Sequence, residues 1–279
     1  MVAVVAVLTA ACGTTPPPAA EPAPSASATA PSVPAVPGME AEAVRLRTDE
    51  AVGGRFQVRV TNTGDGVFTV TSVALNSHGF TALPASAVTA EFPPGRVIDL
   101  PTPYGEPVCD AAPLPAAARL TVTRAGGPEE PVLVPLAADV LQLVHDEECA
   151  VRAVAEVVDI GVTDLADDGD VLTGTLTLTR RGGDERVVAT ALSRSVLIEP
   201  TADGLPLVLP RGERTAGTEV SFTPASCDPH VLSETKKPYV FPLTVEVGDA
   251  DPVPVDLPLD EAARGRLAAL VQRVCTPPA

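Results

Sequence analysis

Leu120-Thr-Val-Thr-Arg-Ala-Gly-Gly-Pro-Glu-Glu-Pro-Val-Leu-Val-Pro-Leu136 is followed thirteen residues later by Cys149, and the pattern recurs. Its second copy is Leu243-Thr-Val-Glu-Val-Gly-Asp-Ala-Asp-Pro-Val-Pro-Val-Asp-Leu-Pro-Leu259, which leads to Cys275. In each copy an alternating run, a Gly-containing turn and a second apolar run read as two strands. Upstream, Cys109-Asp110 matches Cys227-Asp228 at an offset of 118, and at that offset Gly64 falls on Gly182 and Asp49-Glu50 on Asp167-Asp168. The halves 40–149 and 150–279 each carry a net charge of −8. These matches describe a tandem duplication.

Working outward, Arg55–Val60 and Thr173–Leu178 alternate polar and apolar residues. The turn clusters Asn62–Gly66 and Arg180–Asp184 join them to Val67–Ala74 and Arg186–Leu192. Further strands are expected at Val97–Leu100, Arg119–Thr123 and Val132–Val134, with counterparts at Thr218–Phe222, Val240–Val247 and Val253–Leu257. Each half should end in a short helix. Ala137–Asp146 has Val140, Leu143 and Val144 on one face, and a helix capped by Asp260 has Leu267, Leu270, Val271 and Val274 on one face. The 31 prolines among 279 residues argue against a mostly helical chain. The fold expected is all-β: two tandem Ig-like β-sandwich domains, 40–149 and 150–279, each closed by a short C-terminal helix and a disulfide. Neither has the tryptophan or the cysteine placement of antibody domains.

Before the repeats, Met1–Ala11 is an unbroken run of apolar and small residues ending at Cys12. Eleven residues are too few for a membrane span, but they match the apolar core and exit of a secretory signal. Leu8-Thr9-Ala10-Ala11-Cys12 resembles a bacterial lipobox, which implies diacylglyceryl attachment at Cys12 and a signal segment over 1–12. No positively charged stretch precedes the run, so translation is expected to begin upstream of Met1. Residues 13–39 form a Pro/Ala/Ser-rich linker. From Thr14 to Gly38, twenty-one of twenty-five residues are Pro, Ala, Ser or Thr, a composition expected to stay disordered. The expected location is the outer face of the cytoplasmic membrane, with the membrane reached through the lipid anchor.

Cys109, Cys149, Cys227 and Cys275 occupy equivalent places in the two repeats. In an oxidising compartment the duplication selects Cys109–Cys149 and Cys227–Cys275 as the bonds, because each half then closes on itself. Zinc ligation lacks the C-x-x-C spacing. A net charge of −17 disfavours nucleic acid.

The second copy alone carries Cys227-Asp-Pro-His-Val-Leu-Ser-Glu-Thr-Lys-Lys237. Asp228 and Pro229 make an N-cap and first helical residue, which puts His230 and Glu234 on one face of a turn or two of helix. The run resembles one found in uncharacterised exported and lipid-anchored proteins of actinobacteria. That resemblance implies lineage and envelope location but no activity; the ratio of 17 arginines to 2 lysines suits a GC-rich source. Asp228, His230, Glu234 and Lys236 are the candidate binding residues. Ser233-Glu-Thr-Lys236 has the S-x-x-K spacing of penicillin-recognising enzymes without their other elements. Asp164–Asp170 reads as an acidic hairpin turn rather than a calcium loop. Three histidines in all leave little for acid–base catalysis, and neither a cofactor nor a metal site is expected. The reading is a non-catalytic binding or scaffolding module for another envelope protein or a cell-wall component. A small-ligand or cation binder using the second half is the alternative, and a hydrolase ranks behind both.

Overall fold

The computed structural model describes residues 32–137 and 139–276; Cys12, the expected lipidation site, and most of the expected linker 13–39 lie outside them. The chain is mostly β, with several sheets and two disulfides. No helix among the described residues is long and apolar enough to cross a membrane.

In the first half the elements run β1 (Met39–Val44), α1 (Arg47–Val52), β2 (Arg55–Asn62), β3 (Phe68–Asn76), β4 (Ser86–Phe92), β5 (Val97–Pro103), β6 (Ala117–Arg124), β7 (Glu129–Ala137) and α2 (Asp139–Val157). The second half has β8 (Val158–Asp168), β9 (Val171–Arg180), β10 (Val187–Leu192), β11 (Ile198–Thr201), β12 (Leu207–Leu209), β13 (Thr215–Pro224), α3 (Pro229–Glu234), β14 (Pro242–Val247), β15 (Val253–Asp256) and α4 (Glu261–Cys275).

One pairing scheme occurs twice. Four strands lie in the order β4-β3-β6-β7 in the first half and β12-β10-β14-β15 in the second. The complementary ladders are β1-β2-β5 and β8-β9-β13, the latter extended by β11. Among the described residues only the first half joins its two ladders, through a short parallel contact that pairs Ala41 with Leu136 and Glu42 with Ala137. The turn clusters 62–66 and 180–184 carry the chain from one ladder to the other and so are not hairpins. Asn62 holds the first of them: its buried amide donates to Gly66 O and Phe92 O, both at 2.8 Å, and its Oδ1 accepts from Gly64 N at 2.9 Å.

Alternation decides what each ladder buries. Phe56, Val58 and Val60 of β2 face one apolar cluster with Val70, Phe92, Leu120 and Val122. Leu172, Leu176 and Leu178 of β9 face another with Val220, Phe222, Phe241 and Leu243. The large payload is aliphatic, with Phe222 and Phe241 stacked at a tilt 5.4 Å apart.

Helix α2 departs from expectation. It has nineteen residues instead of the ten expected over Ala137–Asp146, and Leu141 rather than Leu143 faces the core; Leu143 is 53% exposed. Its first turns give Leu141 and Val144 to the first cluster, and its end gives Val154 to the second. The helix continues because it has a second core to enter. Arg45 ties it to β1 through Glu147 at 2.5 Å. Tyr104, packed on Phe80, donates to Glu148 at 2.7 Å. Burial, then that carboxylate, pushes the Tyr104 phenol well above its ordinary value. The neutral phenol is what the fold favours, so its contribution is complete below pH 10 and declines only in strong alkali.

Candidate functional site

The Cys227–Lys237 segment folds as its residues dictate. Asp228 is the N-cap of α3: its carboxylate accepts from His230 N at 2.8 Å and Val231 N at 3.4 Å, and Pro229 fills the first helical position. The helix ends at Glu234, where Thr235 donates its hydroxyl to Val231 O at 2.6 Å. Ser233 Oγ donates to His230 O at 3.0 Å, the usual use of a helical hydroxyl.

His230, Glu234 and Lys236 do come together. With Val231 and Lys237 they line one side of an open groove of about 580 Å³, and its other side is α1 of the first half, through Arg47, Glu50 and Ala51. Val196, 61% exposed, lies at the rim. Asp228 shapes the helix from behind and is not part of the lining. Arg47, Lys236 and Lys237 make no salt bridge among the described residues, and neither do Glu50 and Glu234. Three uncommitted cations against two carboxylates make this a relatively basic place on a chain of charge −17.

The α1 side was not legible as a site, and it corrects one expectation. Asp49-Glu50 belongs to a one-and-a-half-turn helix between β1 and β2 rather than to an acidic hairpin turn. Asp49 is buried: Oδ1 accepts from Gln57 Nε2 at 2.7 Å and Arg55 Nε at 3.0 Å, while Oδ2 accepts from Leu46 N at 3.0 Å. That network sets α1 so that Arg47 and Glu50 face the groove.

The counterpart Asp167-Asp168 does end a hairpin, β8 turning into β9 at Gly169. Arg266 and Arg273, two turns apart on α4, hold it. Arg266 donates to Asp167 at 2.8 Å and to Leu165 O, and Arg273 donates to Asp167 at 3.2 Å and to Gly169 O at 3.0 Å. The hydrogen bond from Arg266 leads in holding the Asp167 carboxyl below its ordinary value. These contacts leave the acidic turn serving as a brace for the terminal helix. Among the described residues no three His, Cys, Asp or Glu side chains gather to hold a metal.

Both disulfides join the cysteines that duplication paired, Cys109 with Cys149 and Cys227 with Cys275. The first reaches the middle of α2, because that helix runs on; the second reaches the last residue of α4.

No family model matches the chain, and no curated protein matches it. Among solved structures it is similar to a red sea bream transglutaminase, at 12% identity and a TM-score of 0.23, over 81% of this chain and 32% of that one. A Porphyromonas gingivalis W83 protein of unknown function is similar at 11% identity and a TM-score of 0.21, over 79% of this chain and 98% of the other. The BSP domain of a biofilm associated protein is similar at 8% and 0.21, over 77% and 57%. The chain spans about a third of the transglutaminase.

Proposed function

We propose that this is a lipid-anchored envelope protein on the outer face of the cytoplasmic membrane, built of two tandem Ig-like sandwich domains, and that its groove serves non-catalytic binding or scaffolding. The repeated pairing scheme and the equivalent disulfides support the duplication, and cross-links of this kind persist in exported proteins. The observation that carries the binding role is the groove between α1 and α3, where cations from both halves stand uncommitted beside apolar Ala51, Val196 and Val231. A partner that presents an anionic group there meets charge, apolar side chains and a capped helix held beside a disulfide, and a rigid site loses little entropy on binding. The partner is another envelope protein or a cell-wall component. The excess of positive charge disfavours the alternative in which the second half binds a cation.

Two experiments test this reading. In cells that export the protein, Cys12→Ser should move it from the detergent phase into the medium; a variant that stays in the membrane contradicts the anchor. His230, Glu234 and Lys236 replaced together by alanine should change stability by no more than about 0.5 kcal/mol apiece, because all three lie on the surface. The same triple variant should lose retention on purified cell envelopes by about tenfold. Unchanged retention contradicts the groove as the recognition site.

A further inference from the structure

The two disulfides sit in equivalent places but have different neighbours. In both, the first cysteine is exposed, Cys109 and Cys227, and the second is partly covered, Cys149 and Cys275. One helical turn before the second cysteine, α4 has Val271 in the apolar cluster, whereas α2 has His145, which is 5% exposed. His145 Nε2 lies 3.8 Å from Cys149 Sγ and 3.2 Å from Val108 O. Its Nδ1 is buried with no hydrogen-bond partner among the described residues, 3.6 Å from the Asp146 carboxylate, and Phe80 packs edge-on against the ring. A buried nitrogen left unsatisfied is costly, and Val271 shows that the helix can close over the other disulfide without an imidazole.

We propose that Cys109–Cys149 is a thiol–disulfide exchange centre, with His145 as its catalytic residue and a dithiol as its substrate. A substrate thiolate attacks the exposed Cys109 Sγ. The S–S bond breaks and its electron pair leaves on Cys149 Sγ, which faces His145 Nε2–H. Protonated by a proton that the substrate thiol sheds, the imidazolium pairs with that thiolate and passes it the Nε2 proton, ending as neutral imidazole, and stabilising the leaving thiolate speeds exchange. The substrate's second thiolate then attacks the substrate sulfur of the mixed disulfide, forming the substrate disulfide and releasing Cys109. The dithiol is oxidised by two electrons and the protein bond is reduced by two. The protons shed by the substrate end on Cys149, by way of His145, and on Cys109. The Cys227–Cys275 bond, with Val271 in place of the imidazole, is the internal control.

The test is made on the full chain with dithiothreitol as the probe dithiol. Samples are alkylated at intervals, and each bond is followed by peptide mass spectrometry. Cys109–Cys149 should open about tenfold faster than Cys227–Cys275. H145Q should remove that lead, and V271H should speed the opening of Cys227–Cys275. Circular dichroism checks that each variant is folded, and the wild-type comparison needs no variant at all. Equal opening rates in the wild type overturn the proposal, as does a full lead kept by folded H145Q.

Discussion

Replacing Cys227 and Cys275 together by alanine should destabilise the second half by about 4 kcal/mol, the largest single effect expected in this chain. The bond closes a loop of 48 residues, and chain entropy for a loop of that size sets the magnitude. The native cost of losing it is small, because α4 keeps Leu267, Leu270 and Val271 in the core and its Asp260 cap, which accepts from Ala263 N at 2.7 Å. Hydrogen exchange read by mass spectrometry resolves the halves. Amides of β9, β13 and β14 should lose protection by that amount while those of β2, β3 and β6 lose much less. The coupling that does pass should travel through α2, which has residues in both cores. A loss below about 1 kcal/mol would mean that the reduced chain keeps the loop closed by other contacts.

Asp49→Ala should cost about 3 kcal/mol, in the first half. The side chain is wholly buried, and its removal strips an acceptor from Gln57 Nε2, Arg55 Nε and Leu46 N at once. Arg55 is 36% exposed and can turn to water, so its share is modest; Gln57, at 5%, cannot, and carries most of the penalty. Asp49→Asn keeps one acceptor oxygen and the shape, and should lose roughly half as much. Urea denaturation followed by circular dichroism checks both. Since Asp49 also sets α1, the alanine variant should weaken groove binding although it touches no ligand. A neutral Asp49→Ala would show that α1 is held by something other than this network.

Strands with clean alternation, such as 55–60 and 173–178, were readable because one face of each meets an apolar cluster. The capped turn at 228–234 was readable because its cap, its proline and its following residues are local. What escaped depends on distance. Arg47–Val52 has no apolar period, and it is held as a helix by Asp49's hydrogen bonds to Arg55 and Gln57 of the next strand. Met39–Val44 alternates, but with alanines, whose small side chains give a weak signal. Helix α2 looked finished at Asp146 because Asp146, Glu147 and Glu148 interrupt its apolar pattern between two cores. Half of the groove was legible, since His230, Glu234 and Lys236 stood out by being present in one repeat only. The other half was not, because nothing in Arg47 or Glu50 announces a neighbour some 180 residues away.

The groove is the central claim, and Val196 at its rim offers the most direct test. A photo-crosslinking amino acid at Val196, with a control at Leu133, 44% exposed on β7 away from the groove lining, is activated on intact cells expressing the anchored protein. The account predicts one dominant adduct from position 196, absent from position 133, and suppressed when Lys236 and Lys237 are changed to glutamate. Identical adduct patterns from both positions, or a position-196 adduct indifferent to that charge reversal, would contradict it.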